Sequence, residues 1–220
     1  MQSSYAAVYA ESLMPEPDLT VSEWADEHRL LDQASSSEPG RWRTDRTPYL
    51  REIMDSLSAS DESDVVVFQK GAQIGASEGG INFVLYAIHH APAPMLYVLP
   101  TVDAAKRVSK QRIAPAIEAI PAVKDKVATP RARDSGNTLF QKDYPGGTLI
   151  MTGSNSAVGL RSMPARYLFL DEVDGFPQDL DGEGSPIQLA VRRTATFKRN
   201  RKIFMVSTPT VKGLSTIEEY

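Results

Sequence analysis

Two stretches of this chain combine residue types that could handle a triphosphate. The first is Phe68-Gln-Lys-Gly-Ala-Gln-Ile-Gly-Ala-Ser77, where Lys70, Gly71, Ala72, Gln73, Ile74, Gly75, Ala76 and Ser77 would form a phosphate-binding loop. In such a loop successive backbone N–H groups and a helix N-terminus converge on an anion. Against the pattern G-x-x-x-x-G-K-[ST], Gly75 and Ser77 hold the second-glycine and hydroxyl positions. Ala76 stands where the lysine belongs, and Lys70 where the first glycine would be. A lysine at the front of the loop could still reach the β- and γ-phosphates, with the Ser77 hydroxyl turned to Mg²⁺. The same glycines would also serve a plain strand–turn–helix.

The second stretch is Ala165-Arg-Tyr-Leu-Phe-Leu-Asp-Glu-Val-Asp174. Apolar residues lead into two carboxylates at a strand's C-terminal end, where open α/β sheets bind ligands. Asp171 could hold Mg²⁺, and Glu172 could orient a water for in-line attack on a γ-phosphate. Asp174, further into the loop, reads as a solvated or capping carboxylate. A third strand, Lys202-Ile-Phe-Met-Val-Ser-Thr-Pro209, ends in hydroxyls. Ser207 and Thr208 could sense the γ-phosphate and couple it to movement, or cap the turn before the proline. The order of the three stretches indicates a nucleoside triphosphatase.

The elements that must position these residues follow from periodicity. Residues 65–68 and 95–99 read as buried parallel strands, as do 166–170 and 202–206. Helices are expected over 77–89, from Thr101 towards Pro115, and over 186–197. Residues 139–142 and 148–152 flank Pro145-Gly-Gly147 and predict a hairpin. Upstream, a short helix over 21–31 capped by Ser22, a loop over 34–40 and a helix over 48–57 are expected. Strands alternating with helices give an α/β fold of P-loop NTPase type, a mostly parallel sheet between two helical layers. The domain division expected is an acidic N-terminal extension, 1–48, followed by a P-loop ATPase domain, 49–220.

The chain has 220 residues, no cysteine and a formal charge of -4. Absent cysteine excludes disulfides and thiolate zinc sites. No apolar run approaches the ~18–20 residues of a membrane span, and the N-terminus opens no secretory signal, so no membrane partner is expected. The charge is uneven. Residues 1–64 carry 14 acidic against 5 basic residues, net -9, and residues 65–220 carry 14 against 19, net +5. The run 192–202 holds six basic residues and no acid, and Lys106, Arg107, Lys110 and Arg112 form a second cluster. Either could be a solvated face or could neutralise DNA phosphates without reading sequence. The histidines lack metal-ligand spacing, and Trp24 and Trp42 read as packing anchors.

The order and wording of these motifs resemble the ATPase portion of tailed-phage terminase large subunits, particularly the lambda-type branch. Trp24-Ala-Asp26, Gly40-Arg-Trp42, Val67-Phe-Gln-Lys-Gly-Ala-Gln-Ile-Gly75, Leu99-Pro-Thr101, Asp171-Glu172, Glu183-Gly-Ser-Pro186 and Ser207-Thr-Pro209 carry the likeness. In that family the lysine displaced to the front of the loop recurs. The resemblance implies an ATP- and Mg²⁺-dependent motor that moves double-stranded DNA into a capsid in the host cytoplasm. It also implies a homo-oligomer when working, with a small terminase subunit and a capsid portal as partners. Some relatives carry a basic residue in or just after the loop, where this chain has Gln73 and Glu78. A charge-stabilising arginine must then come from Arg161 or from a neighbouring subunit. The family's nuclease domain has no counterpart here, so nuclease activity is not assigned. A DEAD-like helicase fragment, from Asp171-Glu-Val-Asp174, and a prophage remnant without turnover are the alternatives.

Overall fold

Apolar runs without polar alternation become the inner strands of a six-stranded sheet. The computed structural model describes residues 17–31, 38–127, 137–213 and 215–220. In chain order the strands are β1 (Leu30–Leu31), β2 (Gly40–Arg41), β3 (Val65–Gln69), β4 (Met95–Leu99), β5 (Gln141–Tyr144), β6 (Gly147–Gly153), β7 (Tyr167–Asp171) and β8 (Lys202–Ser207). β1 and β2 pair as a small ribbon. The others form one sheet in the order β3-β8-β7-β4-β6-β5, parallel except for β5, which returns antiparallel from the expected hairpin.

Successive side chains of a strand point to opposite faces, so each inner strand feeds two cores. Tyr97, Phe169, Phe204 and Val206 face one layer, formed by α1 (Val21–His28), α2 (Tyr49–Asp55), α3 (Ala76–His89) and α4 (Val102–Val108) with α5 (Ala114–Ala119) and α6 (Pro121–Lys124). Leu96, Val98, Leu168, Leu170, Ile203 and Met205 face the other, with α7 (Ala157–Leu160) and α8 (Pro186–Arg192). On the first face the rings of Tyr97, Phe169 and Phe204 stack, with centroids 4.3 and 5.1 Å apart. α3 lies directly on that row because Gly80 presents no side chain; a Cβ there would sit 2.1 Å from Phe169.

The structure departs from expectation at several places. The helix expected over 21–31 ends at His28, with Leu30–Leu31 in β1, and the one expected over 186–197 is α-helical only to Arg192. β3 is an edge strand that buries one face only, leaving Val65 and Val67 exposed, because no β3 residue belongs to the second core. The cap of α1 is Thr20, not Ser22. Its hydroxyl accepts from the Glu23 amide and Glu23 accepts from its backbone N–H in return, while Ser22 is buried. The helix before Pro115 does not end there; α4 continues through a π-helical turn, Ser109–Ile113, into α5. The wider turn absorbs the missing proline N–H and the crowding its ring imposes one turn back. Finally, Lys202 leaves the basic run: it is buried, and its Nζ donates to the carbonyls of Ser56, Asp61 and Ser63. The loop expected over 34–40 lies mostly outside the described residues.

Of the described residues before 49, Val21, Trp24, Ala25 and Trp42 belong to the first core. Trp24 and Trp42 are buried in it, and the Trp24 indole donates to His89 Nδ1 at 2.9 Å. Among the described residues, no helix is long and apolar enough to cross a membrane.

Candidate active site

Sheet order brings the three chemical stretches together. β3, β8 and β7 are neighbours, in register Gln69 with Ser207 and Val206 with Asp171. The residues just past their carboxyl ends are Lys70, Thr208 and Glu172. Backbone bonds extend the ladder there, from Lys70 N–H to Ser207 O and from Glu172 N–H to Val206 O. Lys70 is buried, and its Nζ donates to Glu172 Oε1 at 2.7 Å and Thr208 Oγ1 at 2.8 Å. Gln73 and Glu172, both at φ 56, and Gly75, at φ 79, sit in the left-handed region, which shapes the loop and the turn after β7. Such strain in non-glycine residues concentrates at ligand sites.

A cavity of about 300 Å³ opens here, lined by Lys70, residues 73–77, Glu78, Arg112 and Glu172. Gly71 and Ala72 belong to the loop but not to this lining. The Ser77 hydroxyl is in the first turn of α3. Asp171, the expected metal ligand, does not line this cavity: it is 4 % exposed, with Oδ2 accepting from the Tyr97 hydroxyl at 2.9 Å and Oδ1 buried without a partner. Burial pushes its carboxyl up to about 6, with Tyr97, Arg112 and Lys70 working against that rise. An orphaned carboxylate oxygen and a serine hydroxyl are hard oxygen donors of the kind Mg²⁺ takes, usually only one or two from protein. Among the described residues no group of three or more His, Cys, Asp or Glu could hold a metal ion.

Arg161 does not line the cavity. It follows α7, which comes after β6, a strand four places from β3 in the sheet, and it ion-pairs with Glu183. The arginine that does line it is Arg112, from the π-helical turn. Sequence reading placed Arg112 in a surface basic cluster and missed Tyr97 entirely. Glu78 accepts from Arg112 at 2.6 Å and from buried Arg29 at 2.9 Å. Burial raises the Glu78 carboxyl, but the two guanidiniums more than offset this and hold it below the usual range. Ser207 Oγ accepts from the Asp174 amide. Asp174 itself accepts from Thr210, Ser215 and the Ile217 amide, a capping role, and these bonds lower its carboxyl pKa against a burial that would raise it.

A parallel sheet with a glycine-containing loop between edge strand and helix, closed by a lysine against a carboxylate from a neighbouring strand end, defines the domain as a P-loop-type triphosphatase fold. The sequence matches the family of the phage terminase large subunit gpA, ATPase domain, over residues 36–220, and the chain belongs to that family. It is 30% identical over 208 residues to the terminase large subunit of Enterobacteria phage P21, covering 94% of this chain and 32% of that protein. To the terminase large subunit of Escherichia phage lambda it is 31% identical over 205 residues, covering 93% and 31%. The chain thus spans about a third of the length of these relatives. The Thermus phage P74-26 large terminase ATPase domain shares the fold, with a TM-score of 0.51 at 16% identity over 74% of this chain and 66% of that one.

Proposed function

We propose that this chain binds Mg²⁺–ATP in the cavity at residues 70–77 and hydrolyses it to drive double-stranded DNA into a capsid. The observation that carries the reading is Lys70 held between Glu172 and Thr208 at the ends of three adjacent strands. Backbone N–H groups of residues 71–77 and the N-terminus of α3 receive the β- and γ-phosphates. Lys70 then trades part of its bond with Glu172 for a phosphate oxygen. That exchange frees Glu172 to orient and deprotonate a water in line with the γ-phosphorus. Mg²⁺, held by Ser77 and Asp171, would neutralise charge on the phosphates. Thr208, bonded to Lys70, feels the exchange, and Ser207 carries it to the Asp174 loop. This pair is the coupling element.

Exposed Lys106, Arg107 and Lys110, and exposed Arg192, Lys198 and Arg199, are the surfaces offered to DNA phosphates. Work as a homo-oligomer with a small subunit and a portal, in the host cytoplasm, belongs to the same proposal. A helicase reading loses support because Asp174, the third acid of that motif, is taken up in capping.

The test is steady-state ATP hydrolysis by the purified chain, with and without double-stranded DNA. Lys70→Ala and Glu172→Ala should each lower kcat about 100-fold or more. Turnover equal to wild type in either variant would refute the assignment.

A further inference from the structure

We propose that Arg112 is a γ-phosphate sensor supplied within the chain, latched on Glu78 when no triphosphate is bound and moved onto the γ-phosphate when one is. The inference rests on the reading of residues 70–77 as a triphosphate loop and adds to it the group that distinguishes ATP from ADP.

The two arginines on Glu78 are not equivalent. Arg29 is 4% exposed, and its remaining nitrogens are committed: Nε donates to Asn82 Oδ1 at 3.1 Å and Nη1 to the Leu30 carbonyl at 2.8 Å. It is a fixed partner on Glu78 Oε2. Arg112 meets the other oxygen, Oε1, is 32% exposed and lines the cavity beside Lys70, Ser77 and Glu172. A partly buried carboxylate stripped of its cation is disfavoured, but Glu78, 22% exposed, keeps Arg29 whether or not Arg112 stays. Arg112 can therefore leave without stranding a charge.

Electrostatics favours the same movement. An acid in the first turn of a helix whose N-terminus receives phosphate would oppose the ligand unless neutralised. Arg29 neutralises Glu78 permanently, so Arg112 can turn to an incoming anion. Its planar fork suits a terminal phosphoryl group, whose oxygens accept two parallel N–H bonds. The backbone is suited too: Arg112 sits in the π-helical turn, and such turns recur at functional sites because their ladder is readily rearranged. With ADP there is no γ-phosphate to compete with Glu78, and the latch stays closed.

The experiment measures affinities of the purified chain for AMP-PNP and for ADP, with Mg²⁺, in wild type, Arg112→Gln, Arg112→Lys and Lys70→Ala, each with its melting temperature. Arg112→Gln should bind ADP within about twofold of wild type and lose about tenfold of the preference for AMP-PNP. Its kcat should fall about 1000-fold, as for other arginines that stabilise phosphoryl transfer. Arg112→Lys, which keeps the charge but not the fork, should give an intermediate ratio, and it carries the comparison if the glutamine variant melts too low to bind ADP. A residue that merely braces α5 would move melting temperature and both affinities together and leave their ratio unchanged. That unchanged ratio, beside a weakened Lys70→Ala, would overturn the role of Arg112 alone. A wild type that binds neither nucleotide, or a Lys70→Ala as tight as wild type, would overturn the triphosphate reading and this inference with it.

Discussion

At Asp171, stability and function pull in opposite directions. Burial pushes the carboxyl up to about 6 in the folded chain, from an ordinary value of 3.8. Below pH 4 both states are protonated and nothing is lost. Between 4 and 6 the unfolded chain releases its proton first, and above 6 the folded state keeps a buried charge with one unpartnered oxygen. A raised carboxyl pKa therefore lowers stability as pH rises, on the order of 3 kcal/mol by pH 8. Asp171→Asn should melt higher than wild type at pH 8 in EDTA, with the difference vanishing towards pH 4, and should lose Mg²⁺-dependent hydrolysis. Equal melting at both pH values would contradict the buried-charge account. Asp171 and Glu172 were legible because two acids after an apolar run are a local pattern. Tyr97 and Arg112 were not, because a tyrosine in a strand and an arginine in a basic helix acquire meaning only from what packs against them.

Among elements, α3 shows how a helix can be both readable and underdetermined. Its span was evident from apolar periodicity, and its distance from the sheet was not. Gly80 sets that distance, since an added Cβ would overlap the Phe169 ring. Gly80→Ala should destabilise by about 1–3 kcal/mol and lower the melting temperature, tilting the loop that α3 begins. A chemical denaturation midpoint equal to wild type would show that α3 tolerates the shift. The inner strands β4, β7 and β8 and the β5–β6 hairpin were fixed by local sequence. β3 read the same way, yet stands at the edge, because a short β-branched run cannot report how many helices will cover it. The cap of α1 was misplaced by two residues, since Thr20 and Ser22 both suit the role and only Thr20 has Glu23 three residues on.

For the molecule as a whole, the carboxyl ends of β3, β8 and β7 gather Lys70, Thr208 and Glu172, while the exposed part of the basic run 192–202 precedes β8 at the opposite end of the sheet. The run divides in the fold. Lys198 and Arg199 are exposed, whereas Lys202 satisfies three carbonyls and burial lowers its pKa despite Asp61 and Asp64 nearby. Charge reversal at Lys198 and Arg199 should weaken double-stranded DNA binding and flatten its salt dependence, with DNA-free hydrolysis unchanged. Lys202→Ala should instead cost about 1–3 kcal/mol of stability. Titrations at several salt concentrations, beside thermal melts, separate the two; a DNA affinity unmoved by the reversal would remove this face from the interface. The sequence by itself determined what lies close along the chain: the loop's composition, the Asp171–Glu172 pair, the alternation of strands and helices, and hence the triphosphatase class. Tertiary structure decided which strand ends are neighbours, which arginine reaches the cavity and which lysine is buried. Those depend on strand order and packing between residues up to 146 apart, such as Lys202 and Ser56, and no local pattern of side chains encodes such a distance.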